Sequence, residues 1–442
     1  MSTVSTSLPL ARELREICGA QHVVEDPAEL GRLQVLGVVP AVMVEPATAQ
    51  EVAAILHFAG ERGLNIVPAG GFTQQQTGAV PPAIDVLLST SRLTAIEHYD
   101  PGDLTVGVGA GWTVAQLAAK VAADGLLFAC DPPLPERATI GGVLAAGING
   151  PLRHGYGGLR DYCIGVRFVT GDGRKGKGGG QVVKNVAGYD LMKLLIGSWG
   201  TLAVITGASF KLFPAPRQTR TFIACFSTAA EALESRRRIL RSPLDPACLE
   251  LISPVAHKLL IPASPAGAGW SICVRAAGSD AVLARYRVEL GSAIAHEMDG
   301  ANESVFWQKV ANFAPLASAQ TNSLLISFAV TPQDVQPLLA ILEEIAGKGF
   351  TLATVGRVGI GILLAALWPA AGHQPIASDF VTALSTLRSR LSKDSSMRIL
   401  HCPAEARNAI APLQTPTHLD SMRAIKRTLD PKDILNRGRF DF

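Results

Sequence analysis

Clustered glycines beside small polar side chains are the residues in this chain whose types and spacing could do chemistry. The chemistry they suit is gripping a phosphate. The first cluster is PAGGFTQQQTG, Pro68 to Gly78. A glycine-rich turn at the end of a buried parallel strand presents several backbone N–H groups together, with no Cβ to hold an anion away. A plain surface loop would read the same way, because a single glycine-rich loop is a weak signal. The second cluster opens a longer stretch, Ala138 to Ile205. It starts with ATIGGVLAAGINGP, runs through RHGYGGLRDYCIGVRFVTGDGR, and closes with GGGQVVKNVAGYDLMKLLIGSWGTLAVI. Glycine at this density means that backbone passes close to something. A third pattern, Gly107, Gly109 and Gly111, has the start of a dinucleotide fingerprint. Its sixth position is Trp112, however, and no strand-ending acid follows at the distance a ribose would need. Spacing along a strand accounts for it.

Metal chemistry finds no support. The seven cysteines (Cys18, Cys130, Cys163, Cys225, Cys248, Cys273 and Cys402) include no CxxC pair, which argues against an iron–sulfur cluster or structural zinc held by this chain. Their scatter suits a reducing compartment. No basic-then-apolar leader opens the chain, and the longest apolar run, from Gly359, is broken by Gly and Pro. The expectation is a cytoplasmic protein without a transmembrane segment, with peripheral membrane association through partners left open. The net charge of +3 over 442 residues and the lack of a basic face give no footing for nucleic-acid binding. Arg236 to Arg238 read as a solvated helix face.

The elements that must position these clusters follow from local pattern. Ala41 to Glu45 is a strand. Thr48 and Glu51 form a capping box for a helix to about Arg62, whose apolar residues Val52, Ile55, Leu56 and Ala59 share one face. Gly63 stops it. Leu64 to Pro68 is the next strand, which makes a β-α-β unit with parallel strands and delivers the chain into the first glycine cluster. Strands follow at Asp85 to Ser89 and Asp103 to Gly111, then a second capping box at Thr113 and Gln116 with a helix to Gly125. Pro132, Pro133 and Pro135 hold an extended segment leading into the second cluster. Further strands lie at CIGVRFVTGDGR and at Thr201 to Pro214.

Pro214 and Pro216 mark a boundary. Beyond them strands alternate with helices and the glycine loops cease, as in an α+β domain with an antiparallel sheet covered on one face. The expected organisation is an N-terminal arm (1–37), a first domain (38–215), an α+β cap domain (216–405), and a C-terminal segment (406–442) returning to the first domain through LDPKDILNRGRF.

In order, a strand with PxGG, ATIGGxxAAGxxGP, VVKNVAGYDLMKLLIGSWGTLAVI and a terminal DPxxxLNxG resemble the FAD-binding family of the vanillyl-alcohol oxidase (PCMH) type. The string GGQVVKNVAGYD is similar to that of FAD-binding subunits of bacterial glycolate oxidase. Those complexes also contain a catalytic FAD subunit and an iron–sulfur subunit. The resemblance implies a two-domain PCMH-type α+β fold with FAD as cofactor. It places Pro68, Ala69, Gly70, Gly71, Phe72 and Thr73 at the pyrophosphate, and Thr139, Gly141, Gly142, Ala146, Gly147 and Gly150 under the flavin and diphosphate. Pro133, Gly200 and Ile205 join the same site, and Asn436 approaches from the C-terminus. The family loop usually reads PxGGG, so the Phe72 ring must point away from the phosphates. In several relatives a His beside this loop bonds covalently to FAD; Phe72, Thr73 and Gln74 stand there instead, which implies non-covalent FAD.

Catalytic relatives carry HxGDGN in the second domain, because a hydroxy acid needs a cation for its carboxylate and a base for its hydroxyl proton. Residues 217–405 lack that pattern; His257, His296, His373 and His401 stand alone. Arg357, in TVGRVGIG, is the one candidate for the carboxylate, and the catalytic residues are otherwise unknown. Lys184, Asn185, Tyr189 and Asp190 suit local structural bonding or a partner-docking surface. The resemblance therefore implies an FAD subunit of a glycolate oxidase-type complex. It leaves two alternatives: a free-standing FAD-dependent 2-hydroxy-acid dehydrogenase, or a structural subunit with a vestigial flavin fold.

Overall fold

A computed structural model describes residues 7–181, 189–261, 269–407, 409 and 418–439. The chain divides into two compact units. One comprises Met1–Asn149, Gly158–Ala215 and Gln414–Phe442; the other comprises Gly150–Gly157 and Pro216–Leu413.

The first unit is built on the β-α-β pattern. Strands Val42–Val44 and Ile66–Ala69 both pair in parallel with Val86–Ser89, which lies between them, and Val23–Val24 adds an antiparallel edge. The helix Ala49–Arg62 begins where Thr48 accepts the Glu51 N–H at 3.1 Å and ends at Gly63, whose φ of 67° is left-handed. The box is modified: the Glu51 carboxylate reaches back one residue further and takes the Ala47 N–H at 2.9 Å. Val52, Ile55, Leu56 and Ala59 are fully buried beneath it. The second box is complete at Thr113 and Gln116, and its helix ends at Ala122.

A second sheet is antiparallel, in the order Ile96–Asp100, Thr105–Gly109, Ala203–Lys211, Cys163–Thr170, Lys175–Gly179. Here the glycine spacing of Gly107, Gly109 and Gly111 has a steric cause. A Cβ on Gly107 would lie 2.3 Å from His98 Nδ1, one on Gly109 2.0 Å from the Leu93 carbonyl, and one on Gly111 2.4 Å from the Thr90 and Ser91 carbonyls. These glycines admit neighbouring protein, not a ligand. The stretch expected as a separate arm is part of this unit: the helix Ser7–Cys18 puts Ala11 and Leu14, both fully buried, into its core.

The chain returns through the helix Leu419–Leu429. Leu435 then pairs in parallel with Ile66. The Ile66 N–H donates to the Ile434 carbonyl at 2.7 Å and the Asn436 N–H to the Ile66 carbonyl at 2.9 Å. Asp430, 1% exposed, fixes this docking. Its carboxylate accepts the N–H groups of Ile434 and Leu435 and pairs with Lys426 Nζ at 2.6 Å, and Lys426 also donates to the carbonyls of Thr201 and Leu435.

The second unit contains an eight-stranded antiparallel sheet ordered Ile294–Met298, Gln218–Phe226, Trp270–Gly278, Cys248–Ile252, Phe350–Arg357, Ile362–Pro369, Leu324–Ala329, Ser396–His401. It is covered on both faces, not one. Leu249, Leu251, Ile272 and Val274 enter a core with Leu338, Leu342 and Leu384 of the helices Val335–Ala346 and Ala377–Arg390. The alternate residues Cys248, Ile252, Cys273 and Val355 enter another, with Leu260, Phe306 and Phe313. A two-residue period with apolar residues at both phases produces two buried faces. Arg236 departs from the expected solvated face: it is buried and donates to the carbonyls of Pro332 at 3.2 Å and Val358 at 3.4 Å, while Arg237 and Arg238 are exposed. Among the described residues no helix is long and apolar enough to cross a membrane, and no group of His, Cys, Asp or Glu could hold a metal ion.

Removing one partner of a buried ion pair costs about 3–5 kcal/mol. Asp430→Asn is therefore expected to lower thermal stability by an amount of that order and to free the C-terminal segment first. Limited trypsin digestion should cut the variant at Arg423, Lys426 or Arg427 before any other site. An unchanged melting curve and cleavage pattern would show that Asp430 does not hold the segment.

Candidate cofactor site

The strand Ile66–Ala69 ends where the first glycine cluster begins, and Thr90 ties the end down: its N–H donates to the Ala69 carbonyl at 2.8 Å and its hydroxyl to the same atom at 3.2 Å. Gly70 and Gly71 then lie flat against residues 137–139. A Cβ on Gly70 would sit 2.0 Å from Thr139 Oγ1, and one on Gly71 1.6 Å from the Arg137 carbonyl. Glycine is obligatory at both because of protein packing. The backbone N–H groups of Gly71, Phe72, Thr73 and Gln74 have no acceptor among the described residues. Four neighbouring free donors make a nest for an anion.

The second cluster plays a different part. Thr139 caps the helix Ile140–Ala146, accepting the Gly142 N–H at 3.3 Å. The N–H of Ile140 is taken by the Trp112 carbonyl at 2.8 Å and that of Gly141 by the Ala110 carbonyl at 2.9 Å. A Cβ on Gly141 would press Ala110 at 2.9 Å. With its donors spent on the neighbouring strand, this segment is a smooth floor and not an anion cradle.

The remaining wall comes from Trp199, Gly200, Ala203 to Ile205, Asn436 and Arg439. The enclosed cleft measures about 700 Å³, including space open to solvent. Phe72 (φ 58°), Trp199 (φ 56°) and Asn436 (φ 48°) all border it in the left-handed region. For Phe72 and Trp199 this costs roughly 1–2 kcal/mol relative to glycine, while Asn tolerates the region; five other non-glycine residues among those described share it away from the cleft. Asn436 Nδ2 donates to the Trp199 carbonyl at 2.8 Å, while its buried Oδ1 has no partner. A buried acceptor without a donor at a cleft awaits one from a ligand.

Of the residues expected at the site, Pro68, Ala69, Gly70, Gly71, Phe72, Thr73, Thr139, Gly141, Gly142, Ala146, Gly200, Ile205 and Asn436 border this cleft; Pro133, Gly147 and Gly150 do not. Gly147 ends the helix with φ 66° and its Cα face abuts Gly197. Gly150 belongs to the other unit. Phe72 packs against the cluster that includes Val67, Ala69, Ile84 and Leu87 while also lining the cleft, and its φ of 58° lies in the left-handed region that favours glycine. Sequence reading covered Gln74, Gln75, Ala203 and Val204 only as parts of longer segments, and missed Thr90, Ala145, Trp199 and Arg439. The bulky Trp199 between small residues in GSWGT was a usable signal; nothing local distinguished Arg439.

Arg357 is not available to a substrate carboxylate. It stands opposite Glu250 across adjacent strands, Nε to Oε1 3.5 Å, both in the buried interior of the second unit. Lys184 and Asn185 lie outside the described residues. Asp190 serves local structure, capping the helix Leu191–Leu195 and pairing with Lys193 at 2.8 Å, while Tyr189 is 90% exposed.

Comparison with known proteins agrees with this geometry. Residues 40–175 match the FAD binding domain family, and residues 405–440 match the C-terminal domain of FAD linked oxidases. A D-lactate dehydrogenase of Archaeoglobus fulgidus is 38% identical over 213 residues, which is 48% of this chain and 47% of that protein. Glycolate oxidase subunit GlcE of Escherichia coli is 42% identical over 123 residues, 28% of this chain and 35% of that one. Glycolate oxidase subunit GlcD of Bacillus subtilis is 25% identical over 90% of this chain and 88% of its own. The chain thus spans about half or less of two of these relatives and most of the third. Crystalline p-cresol methylhydroxylase with substrate bound superposes with a TM-score of 0.76 at 15% identity over 99% of this chain and 97% of that one, so the fold is of the PCMH type.

Phe72→Gly relieves left-handed strain and removes a side chain that packs against the apolar cluster of Val67, Ile84 and Leu87. FAD affinity of the apoprotein, followed by quenching of flavin fluorescence, is expected to stay level or rise. A loss of tenfold or more would show that the ring itself grips the ligand.

Proposed function

We propose that this chain, which carries the FAD binding domain of the FAD-linked oxidoreductases, is the non-covalent FAD subunit of a glycolate oxidase-type complex. In this reading it works in the cytoplasm beside a catalytic FAD subunit and an iron–sulfur subunit. The carrying observation is the character of the cleft: a nest of four free backbone donors, a smooth floor, and a described lining in which Arg439 is the sole ionisable side chain.

The residues fit the cofactor. The N–H groups of Gly71 to Gln74 would hold the diphosphate, whose negative charges favour clustered donors. The floor of Gly141, Gly142, Ala145 and Ala146 and the wall of Ala203, Val204 and Ile205 would bury the apolar rings and exclude water. Asn436 Oδ1 would accept an N–H from the polar edge of a ring. None of the described lining side chains is a His, Cys or Tyr, which supports non-covalent retention. Bound there, FAD would supply the acceptor for the two electrons released when a 2-hydroxy acid becomes a 2-oxo acid.

Oxidation of a hydroxy acid also requires a base for the hydroxyl proton. The lining offers amides, hydroxyls and a guanidinium, none of which takes up a proton near neutral pH. The candidate cation Arg357 is already paired with Glu250. Both points favour a chain whose partner performs the proton chemistry. The 25% identity to GlcD over 90% of the chain favours a second reading, a free-standing FAD-dependent 2-hydroxy-acid dehydrogenase.

Anaerobic addition of glycolate or D-lactate to the purified flavin-loaded chain separates the two. The expected result is a flavin spectrum that stays oxidised until partner subunits are supplied. Bleaching by either acid in the isolated chain would establish the second reading instead.

A further inference from the structure

Arg439 is 3% exposed, and its guanidinium is spent on one loop. Nε and Nη2 donate to the Thr77 carbonyl at 3.0 and 2.8 Å, Nη2 also to the Gln75 carbonyl at 2.8 Å, and Nη1 to Gln75 Oε1 at 2.6 Å. Gln75 passes the connection on: its Nε2 donates to the Pro68 carbonyl at 3.2 Å. The Ala79 N–H donates to the Arg439 carbonyl at 2.9 Å, closing the far end of the same loop. Within the loop the Thr77 N–H donates to the Gln74 carbonyl at 3.3 Å, and the loop is also held by a residue more than 360 positions away in sequence.

We propose that Arg439 is a positioning residue for anion binding. By gathering the carbonyls of Gln75 and Thr77, and Pro68 through Gln75, it turns the N–H groups of Gly71 to Gln74 as a set toward the cleft. Each held carbonyl fixes its own peptide plane, so anchoring those of Pro68, Gln75 and Thr77 pins the chain on both sides of Gly71 to Gln74 and limits the directions their N–H groups can take. The planar fork of a guanidinium can hold several acceptors at fixed angles; an ammonium holds them as a point charge without that geometry. Preorganised donors bind an anion without the entropy cost of ordering the loop first. This rests on the reading that the cleft holds FAD, and it assigns to Arg439 the phosphate half of that recognition and not the ring half.

The test uses the full-length apoprotein and two probes that divide FAD: ADP, which carries the diphosphate, and lumiflavin, which carries the ring without phosphate. Arg439→Met is expected to weaken ADP by about tenfold or more, the scale of losing charge-assisted hydrogen bonds, while lumiflavin binding changes less than about twofold. Gln75→Leu should shift ADP in the same direction with circular dichroism unchanged. Adding Gln75→Leu to Arg439→Met should cost little more, because the two act through one chain of bonds. Arg439→Lys should recover part of the ADP affinity. Equal loss of both probes in the Arg439 and Gln75 variants, or loss of neither, overturns the inference while leaving the cofactor reading intact. A wild-type apoprotein that binds neither ADP nor FAD overturns the cofactor reading itself.

Discussion

One steric constraint underlies the site. The backbone after the strand Ile66–Ala69 is pressed against residues 137–139 so closely that a Cβ on Gly71 would stand 1.6 Å from the Arg137 carbonyl. No side chain other than hydrogen satisfies that, and no relaxation of a backbone carbonyl by more than an ångström is cheap in a packed interior. The contact joins two segments that the sequence keeps 66 positions apart. It brings a loop with free N–H donors to the edge of a floor whose own donors are already used. The anionic half of the proposed ligand would meet the loop and its apolar half the floor, and that junction sets the two side by side.

A second junction completes it. The C-terminal segment docks through a single parallel bridge beside Ile66, and the buried Asp430–Lys426 pair holds the turn that leads into it. This segment carries both Asn436 and Arg439 to the cleft. A single bridge at an edge supplies little pairing energy alone, so the charged turn and the fully buried Ile434 and Leu435 are what make the docking firm. Left-handed backbone at Phe72, Trp199 and Asn436 is tolerated because these contacts over-determine it.

Much of this was legible in the residues. Caps at Thr48 and Thr113, the stop at Gly63 and the β-α-β unit are local effects, readable because the partners lie within a few positions. The glycine clusters do line a cleft, but the reason read for them was incomplete. At Gly70, Gly71 and Gly141 the close neighbour is protein, and a pattern of glycines cannot say whether backbone or ligand fills the space. Arg357 looked free because its partner Glu250 lies over a hundred positions earlier and meets it only across the sheet. The double-sided sheet was missed because its strands are apolar at both phases. Arg439 gave no sign at all, since its acceptors are main-chain carbonyls of a distant loop.

The matches to an FAD binding domain and to the C-terminal domain of FAD linked oxidases cover the glycine loop, the floor and the C-terminal segment of this cleft, while the wall from Trp199 to Ile205 lies outside both. The central claim is that the cleft holds FAD without a covalent bond. It is tested most directly by the visible spectrum of the purified chain before and after acid precipitation. The expected result is a yellow protein that releases its flavin into the supernatant, with about one flavin per chain. A chain that remains colourless after incubation with FAD, or a precipitate that retains the yellow colour, would contradict it.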